Sequence, residues 1–126
     1  MLSIDRRSRV PIYEQIKNEI IEMIRIGKFE TNEQLPSIRK LARDTGLNVN
    51  TVKHAFSDLE SDGVIYSLPG RGSFVSPNGI YNKKIQKKAV DELRASVTNA
   101  LMKGVAREAC IEVIEKIYKT REEDNG

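Results

Sequence analysis

One stretch of the chain, residues 35–75, strongly restricts the folds that this sequence can adopt. It reads as a short helix, a turn containing Gly46, a second helix, and two short strands on either side of Pro69-Gly70-Arg71-Gly72. Two helices joined by a short turn allow the second helix to lie in a major groove of DNA. A basic hairpin that follows directly can reach the neighbouring backbone or the minor groove. The order of these elements therefore predicts a winged helix-turn-helix domain.

Residues that favour helix ends place three helices in this domain. Pro11 suits the start of the first helix, where its missing N–H is not needed, and Ser37 and Asn48 are suited to cap the second and third. The apolar stripe of the first helix has helical spacing: Ile12, Ile16, Ile20, Met23 and Ile24. The third helix has an inward stripe: Val49, Val52, Phe56 and Leu59. Its outward polar residues lie near its start: Asn50, Thr51, Lys53 and His54.

The C-terminal part of the chain is predicted to be a helical hairpin. Turn residues Pro77-Asn78-Gly79 mark a boundary, so we expect a winged helix-turn-helix domain over residues 1–76 and an α-helical dimerisation module over residues 77–126. Two apolar stripes, separated by Gly104, are expected to form the dimer contact: Ile85, Ala89, Leu93, Val97 and Leu101, then Cys110, Ile114 and Ile117. A lone hairpin has one seam and cannot bury both stripes. We therefore expect the same hairpin of a second chain to complete a four-helix homodimer interface.

The composition favours a small basic protein of a reducing compartment. The 126 residues carry a formal net charge of +3, which permits nucleic-acid binding without establishing it. The single cysteine, Cys110, excludes an intrachain disulfide and fits the cytoplasm. No apolar run approaches the ~18 residues that span a membrane, and the N-terminus lacks the apolar core of a signal peptide. We find no nucleophile with a histidine partner and no metal-ligand cluster, so we expect no catalytic residue, metal or cofactor.

These residues resemble the GntR family of bacterial transcription regulators over residues 11–77. The ordered motifs that carry the resemblance are Pro11–Ile16, Leu35–Arg39, Asn50–Val52, Leu59, Gly63–Ile65 and Gly70–Val75. The part after the wing is too short for a large effector domain and resembles the short YtrA-type branch, which has a two-helix dimerisation module. The resemblance implies a homodimeric regulator, and we expect a repressor on an inverted-repeat operator of double-stranded DNA. Whether it has a small-molecule effector stays open.

The resemblance also implies roles for individual residues. It implies DNA contacts by the arginine that follows Leu-Pro-Ser, by the recognition helix and by the wing tip: Arg39; Asn48, Asn50, Thr51 and Lys53; Gly70 and Arg71. Arginine suits guanine edges or phosphate, whereas lysine suits phosphate. Two positions depart from the family pattern. Val49 stands where arginine is frequent, and Asn32 stands where glycine is usual, although asparagine tolerates a left-handed backbone.

Other interpretations of these residues stay open at this point. Arg39 can be a solvated helix charge, and Asn50 can simply cap the helix start. His54 is expected to be exposed, and Cys110 to be a small buried hydrophobe rather than a redox sensor. The alternative function is a winged-helix module for protein–protein contact, which would expose apolar side chains on the outer face of the third helix.

Overall fold

The computed structural model describes residues 2–125, and within that range it contains five α-helices and one two-stranded sheet. The helices are α1 Ile12–Arg25, α2 Ile38–Thr45, α3 Val49–Ser61, α4 Lys83–Met102 and α5 Arg107–Asn125. The strands are β1 Ile65–Leu68 and β2 Gly72–Val75, and a 3-10 turn covers Gly79–Tyr81. The expected fold class, mainly α with a small β-wing, is confirmed.

The core of the N-terminal part lies between α1, α2, α3 and the sheet. Residues of the two predicted stripes are buried in it: Ile16, Ile20, Val52, Phe56 and Leu59. Leu41 of α2 is buried with them. Val49 was expected to join them, but that expectation is wrong, because its side chain is 44% exposed. Val49 is the first residue of α3, so it precedes the turns of that helix that pack against α1 and the sheet.

Local capping sets the ends of α2 and α3 as the sequence predicts. The Ser37 hydroxyl accepts a hydrogen bond from the Lys40 N–H at 3.0 Å, and the Asn48 Oδ1 accepts one from the Asn50 N–H at 2.8 Å. Gly46 ends α2 with a left-handed backbone, at φ +70°. These three devices fix a short turn between the two helices, which is what a helix-turn-helix requires.

The wing is a tight antiparallel hairpin of β1 and β2, and a third segment forms hydrogen bonds with the free edge of β2. Ile65 lies opposite Val75 in the register of β1 and β2. The Arg71 N–H donates to the Leu68 carbonyl at 2.9 Å, and Gly70 has φ +74°, the geometry that favours glycine after proline in this type of turn. On the other edge of β2, the Leu35 N–H donates to the Ser73 carbonyl at 2.8 Å. The wing is therefore tied to the segment that leads into α2.

The described chain divides into two compact units between Gln86 and Lys87. The first unit thus extends past residue 76, where the turn residues had placed the boundary. Ile80 is buried in its core and Ile85 packs partly against it. A Cβ on Gly79 would lie 2.6 Å from the Val64 carbonyl oxygen, so the close approach of this backbone to the core requires glycine.

Candidate nucleic-acid interface

The outer face of α3 carries short polar and cationic side chains at its N-terminal end. Asn50 and Lys53 are exposed and Thr51 is partly exposed, as expected for groups that reach base edges or phosphates. Asn48 is exposed too, but its Oδ1 already accepts the capping hydrogen bond, so its NH₂ group is what it can offer to DNA. The exposed Val49 adds one apolar side chain to this face.

Three cations of the predicted interface have side chains free to bind an anion. Arg39, Lys53 and Arg71 are exposed and form no ion pair or side-chain hydrogen bond with any residue that the structure describes. Lys40, in the same region, is already paired, because its Nζ lies 3.0 Å from an Asp44 carboxylate oxygen. Unpaired, solvated cations are the groups that phosphates can engage without first breaking a contact in the protein.

Gln34 places the wing tip beside the start of α2, a role that no pattern in the sequence predicts. Its Nε2 donates to the Arg71 carbonyl at 2.8 Å, and its backbone forms a β-bridge with Phe74. The same side chain lies against Gly72, where a Cβ would come within 3.0 Å of the Gln34 Nε2. The Arg71 backbone is therefore held while its side chain stays exposed.

A buried lysine of α1 forms ion pairs with two carboxylates at the C-terminal end of α3. Lys17 is buried, and its Nζ lies 3.4 Å from Asp58 Oδ2 and 3.8 Å from Asp62 Oδ2. His54 is exposed, as expected, but its ring also stacks on Tyr13 with centroids 4.0 Å apart. These contacts hold α3 against α1.

The second unit exposes the predicted dimerisation stripes, of which Ile85 alone lies in the first unit. Leu93 and Leu101 are 53% and 70% exposed on α4, and Ile114 and Ile117 are 42% and 62% exposed on α5. Ala89 and Val97 are exposed as well, and Cys110 is partly covered rather than buried. From Lys87 to Glu123 no described side chain is buried, so the apolar faces of both helices have no partner within this unit.

Other kinds of site find no support within the described residues. No three His, Cys, Asp or Glu side chains between residues 2 and 125 are grouped so that they could hold a metal ion. In the same part of the chain, no helix has the length and apolar character needed to cross a membrane.

The chain is similar to known bacterial transcription regulators. The model of the family described as bacterial regulatory proteins, gntR family, matches residues 12–75. The HTH-type transcriptional repressor YtrA of Bacillus subtilis strain 168 is 36% identical over 121 residues, covering 93% of this chain and 92% of that protein.

Two solved structures extend the comparison. A structure from Listeria monocytogenes EGD-e, described as a transcriptional antiterminator, is 29% identical with a TM-score of 0.80, covering 94% of this chain and 90% of that one. The DNA-binding domain of AraR in complex with operator ORR3 is 32% identical with a TM-score of 0.53, covering 59% of this chain and 89% of that one.

Proposed function

The chain belongs to the GntR family of bacterial regulatory proteins, and we propose that it represses transcription as a homodimer bound to an inverted-repeat operator. Membership makes it a DNA-binding transcription regulator rather than an enzyme. What the proposal adds is the oligomeric state, the symmetry of the DNA site and the sign of regulation. It also places the protein in the cytoplasm, where the operator is.

The observation that carries the proposal is the exposed pair of apolar stripes on α4 and α5. Helices with such faces are stable in water when another surface covers them. A second copy of the same unit supplies a matching surface, because a two-fold interface pairs a patch with itself. Association of two units would bury Leu93, Leu101, Ile114 and Ile117 in a four-helix contact.

Homodimerisation explains how a small domain gains specificity for DNA. Each protomer would set α3 in a major groove, with the wing tip at Gly70 and Arg71 beside it. The two-fold axis of the dimer then matches the symmetry of an inverted repeat, and the dimer interface sets the distance between the half-sites. Binding of the second half-site becomes intramolecular, so the paired affinity exceeds that of one domain by a large factor.

The alternative, a winged-helix module for protein–protein contact, receives less support from the surface of α3. Such a module would present a contiguous apolar patch there. Val49 is a single exposed apolar residue among Asn50, Thr51 and Lys53, and single exposed apolar residues are ordinary on protein surfaces.

The central test is selection of DNA from a random duplex pool by the purified protein, followed by sedimentation of the complex. We expect an inverted repeat and a stoichiometry of two chains per duplex. Selection of a single unpaired half-site, or one chain per duplex, would contradict the proposal.

Arg39→Ala is expected to weaken binding to the selected operator by about 1–3 kcal/mol if the guanidinium contacts a base edge. Arg39→Lys separates the two roles of this residue, since it keeps the charge but loses the bidentate fork. Fluorescence anisotropy gives the affinity of each variant for the operator and for a scrambled duplex. Arg25→Ala, at the far end of α1, is the matched control and should leave both affinities near the wild-type values. An equal loss on both duplexes for Arg39→Ala would assign Arg39 to phosphate instead.

Lys53→Ala and Arg71→Ala are expected to weaken binding to all duplexes more evenly. Each lost phosphate contact should flatten the plot of log affinity against log salt concentration by roughly one unit. Titrations between low and moderate salt give this slope. If the slope stays constant while one base position loses discrimination, the residue reads sequence and its assigned role is wrong.

A further inference from the structure

A second group of cations lies outside the helix-turn-helix and the wing, on the segment before α1. This N-terminal arm, residues 2–10, carries Arg6, Arg7 and Arg9, and all three side chains are exposed. The one carboxylate of the arm belongs to Asp5, whose Oδ1 accepts the Arg7 backbone N–H at 2.9 Å. The function described above makes no use of this positive charge.

The arm has a defined backbone because the side chain of Gln15 ties it to α1. The Gln15 Oε1 accepts from the Asp5 N–H at 2.8 Å, and its Nε2 donates to the Asp5 carbonyl at 2.9 Å and the Val10 carbonyl at 2.8 Å. Leu2 and Ile4 pack partly against the core. An arm held in this way presents its arginines with little ordering cost on binding.

The arm is linked to the neighbourhood of the recognition helix α3 at two points. In the middle of the arm, the Arg6 Nη2 donates to the Gly46 carbonyl at 3.3 Å, in the turn that leads into α3. After its last residue the chain enters α1, where Tyr13 stacks on His54 of α3. The guanidinium groups of Arg7 and Arg9, between these two points, form no ion pair or hydrogen bond with the residues that the structure describes.

We propose that Arg7 and Arg9 bind phosphates of the DNA backbone that flanks the groove occupied by α3. The inference rests on the proposed function, because it takes α3 as the element that enters the groove. Two unpaired guanidinium groups on a fixed segment next to that helix match an anionic strand running alongside it. The contacts would add affinity and position the domain without reading sequence.

The salt dependence of binding tests this proposal. The double variant Arg7→Gln and Arg9→Gln is compared with Arg25→Gln and Lys28→Gln, which removes the same charge near the far end of α1, about 20 Å along that helix. We expect the arm variant to flatten the log–log salt slope by about two units on the operator and on a scrambled duplex. The control pair should leave the slope at the wild-type value.

Two further measurements separate phosphate binding from a structural role. Arg7→Lys with Arg9→Lys keeps both charges and is expected to restore the slope. Hydroxyl-radical footprinting should show, in each half-site, protected sugars next to the groove contacted by α3 that the Gln pair loses, while the sugars of that groove stay protected. Circular dichroism melting shows whether the Gln double variant is folded. If it is not, the single variant Arg9→Gln replaces the double variant, and the expected change in the salt slope is then about one unit.

An arm variant with the wild-type slope and footprint would overturn the proposal. Failure of the proposed function has a different signature, namely a wild-type protein that binds operator and scrambled DNA equally or as a monomer. In that case the slope on the scrambled duplex still decides whether Arg7 and Arg9 bind phosphate.

Discussion

Leu93→Asp is expected to dissociate the proposed homodimer and to reduce operator binding in parallel. Leu93 lies at the middle of the α4 stripe and is 53% exposed within its own chain, so a partner chain would complete its burial. An aspartate there would be an unpaired charge in an apolar seam, at a cost of several kcal/mol. Loss of the dimer removes the gain from joined half-sites, so operator affinity should fall by at least tenfold.

Ala95→Asp is the matched control for this substitution. It introduces the same charge about half a turn further along α4, on the opposite face of the helix. Sedimentation at micromolar concentration gives the oligomeric state, and anisotropy on the operator gives the affinity. A Leu93→Asp protein that stays dimeric, or a monomer that keeps wild-type operator affinity, would show that these helices do not have the proposed role.

Lys17→Met is expected to destabilise the first unit by about 3 kcal/mol, with little change in the shape of the core. Methionine retains most of the apolar stem of lysine but removes the charge that faces the carboxylates of α3. The side chains of Lys17 and Asp62 are only 11% and 6% exposed, so Asp62 would lose a buried counter-charge. Lys84, whose Nζ lies 3.8 Å from Asp62 Oδ1, compensates in part.

Urea unfolding measures the effect, and Lys28→Met, at an exposed lysine, is the control that should stay within about 0.5 kcal/mol of wild type. The double variant Lys17→Met with Asp62→Asn tests whether the charges act together. Its loss should be smaller than the sum of the two single losses by about 1 kcal/mol, because both single variants remove the same Lys17–Asp62 ion pair. Additive losses would mean that the stability comes from packing of the lysine stem.

The sequence alone determined the elements whose cause is local. A capping side chain and the N–H that it satisfies lie within a few residues of each other, as Ser37 and Asn48 show. The left-handed backbone expected at Asn32 is present, at φ +65°, because that preference belongs to the residue and its turn. The order of these elements, with the family motifs, was enough to predict the fold class and DNA binding.

The DNA-contact residues and the dimerisation stripe remain predictions, although the structure gives their exposure. Arg39, Asn50, Lys53 and Arg71 are exposed, and helical periodicity had placed Asn50 and Lys53 on the outer face. Ile85 differs from the rest of its stripe, because it already packs partly against the core of the first unit. Periodicity gives the face of a helix but not which surface covers it.

Only the tertiary structure decided the features that join distant parts of the chain. Lys17 is buried because Asp58 and Asp62, more than 40 residues away, converge on it, and no pattern within α1 reveals that. Gln34 holds the wing tip across a similar separation, and Val49 is left only partly covered by the residues that the structure describes. Burial and ion pairing depend on which side chains meet in space, whereas caps and turns depend on neighbours in the chain.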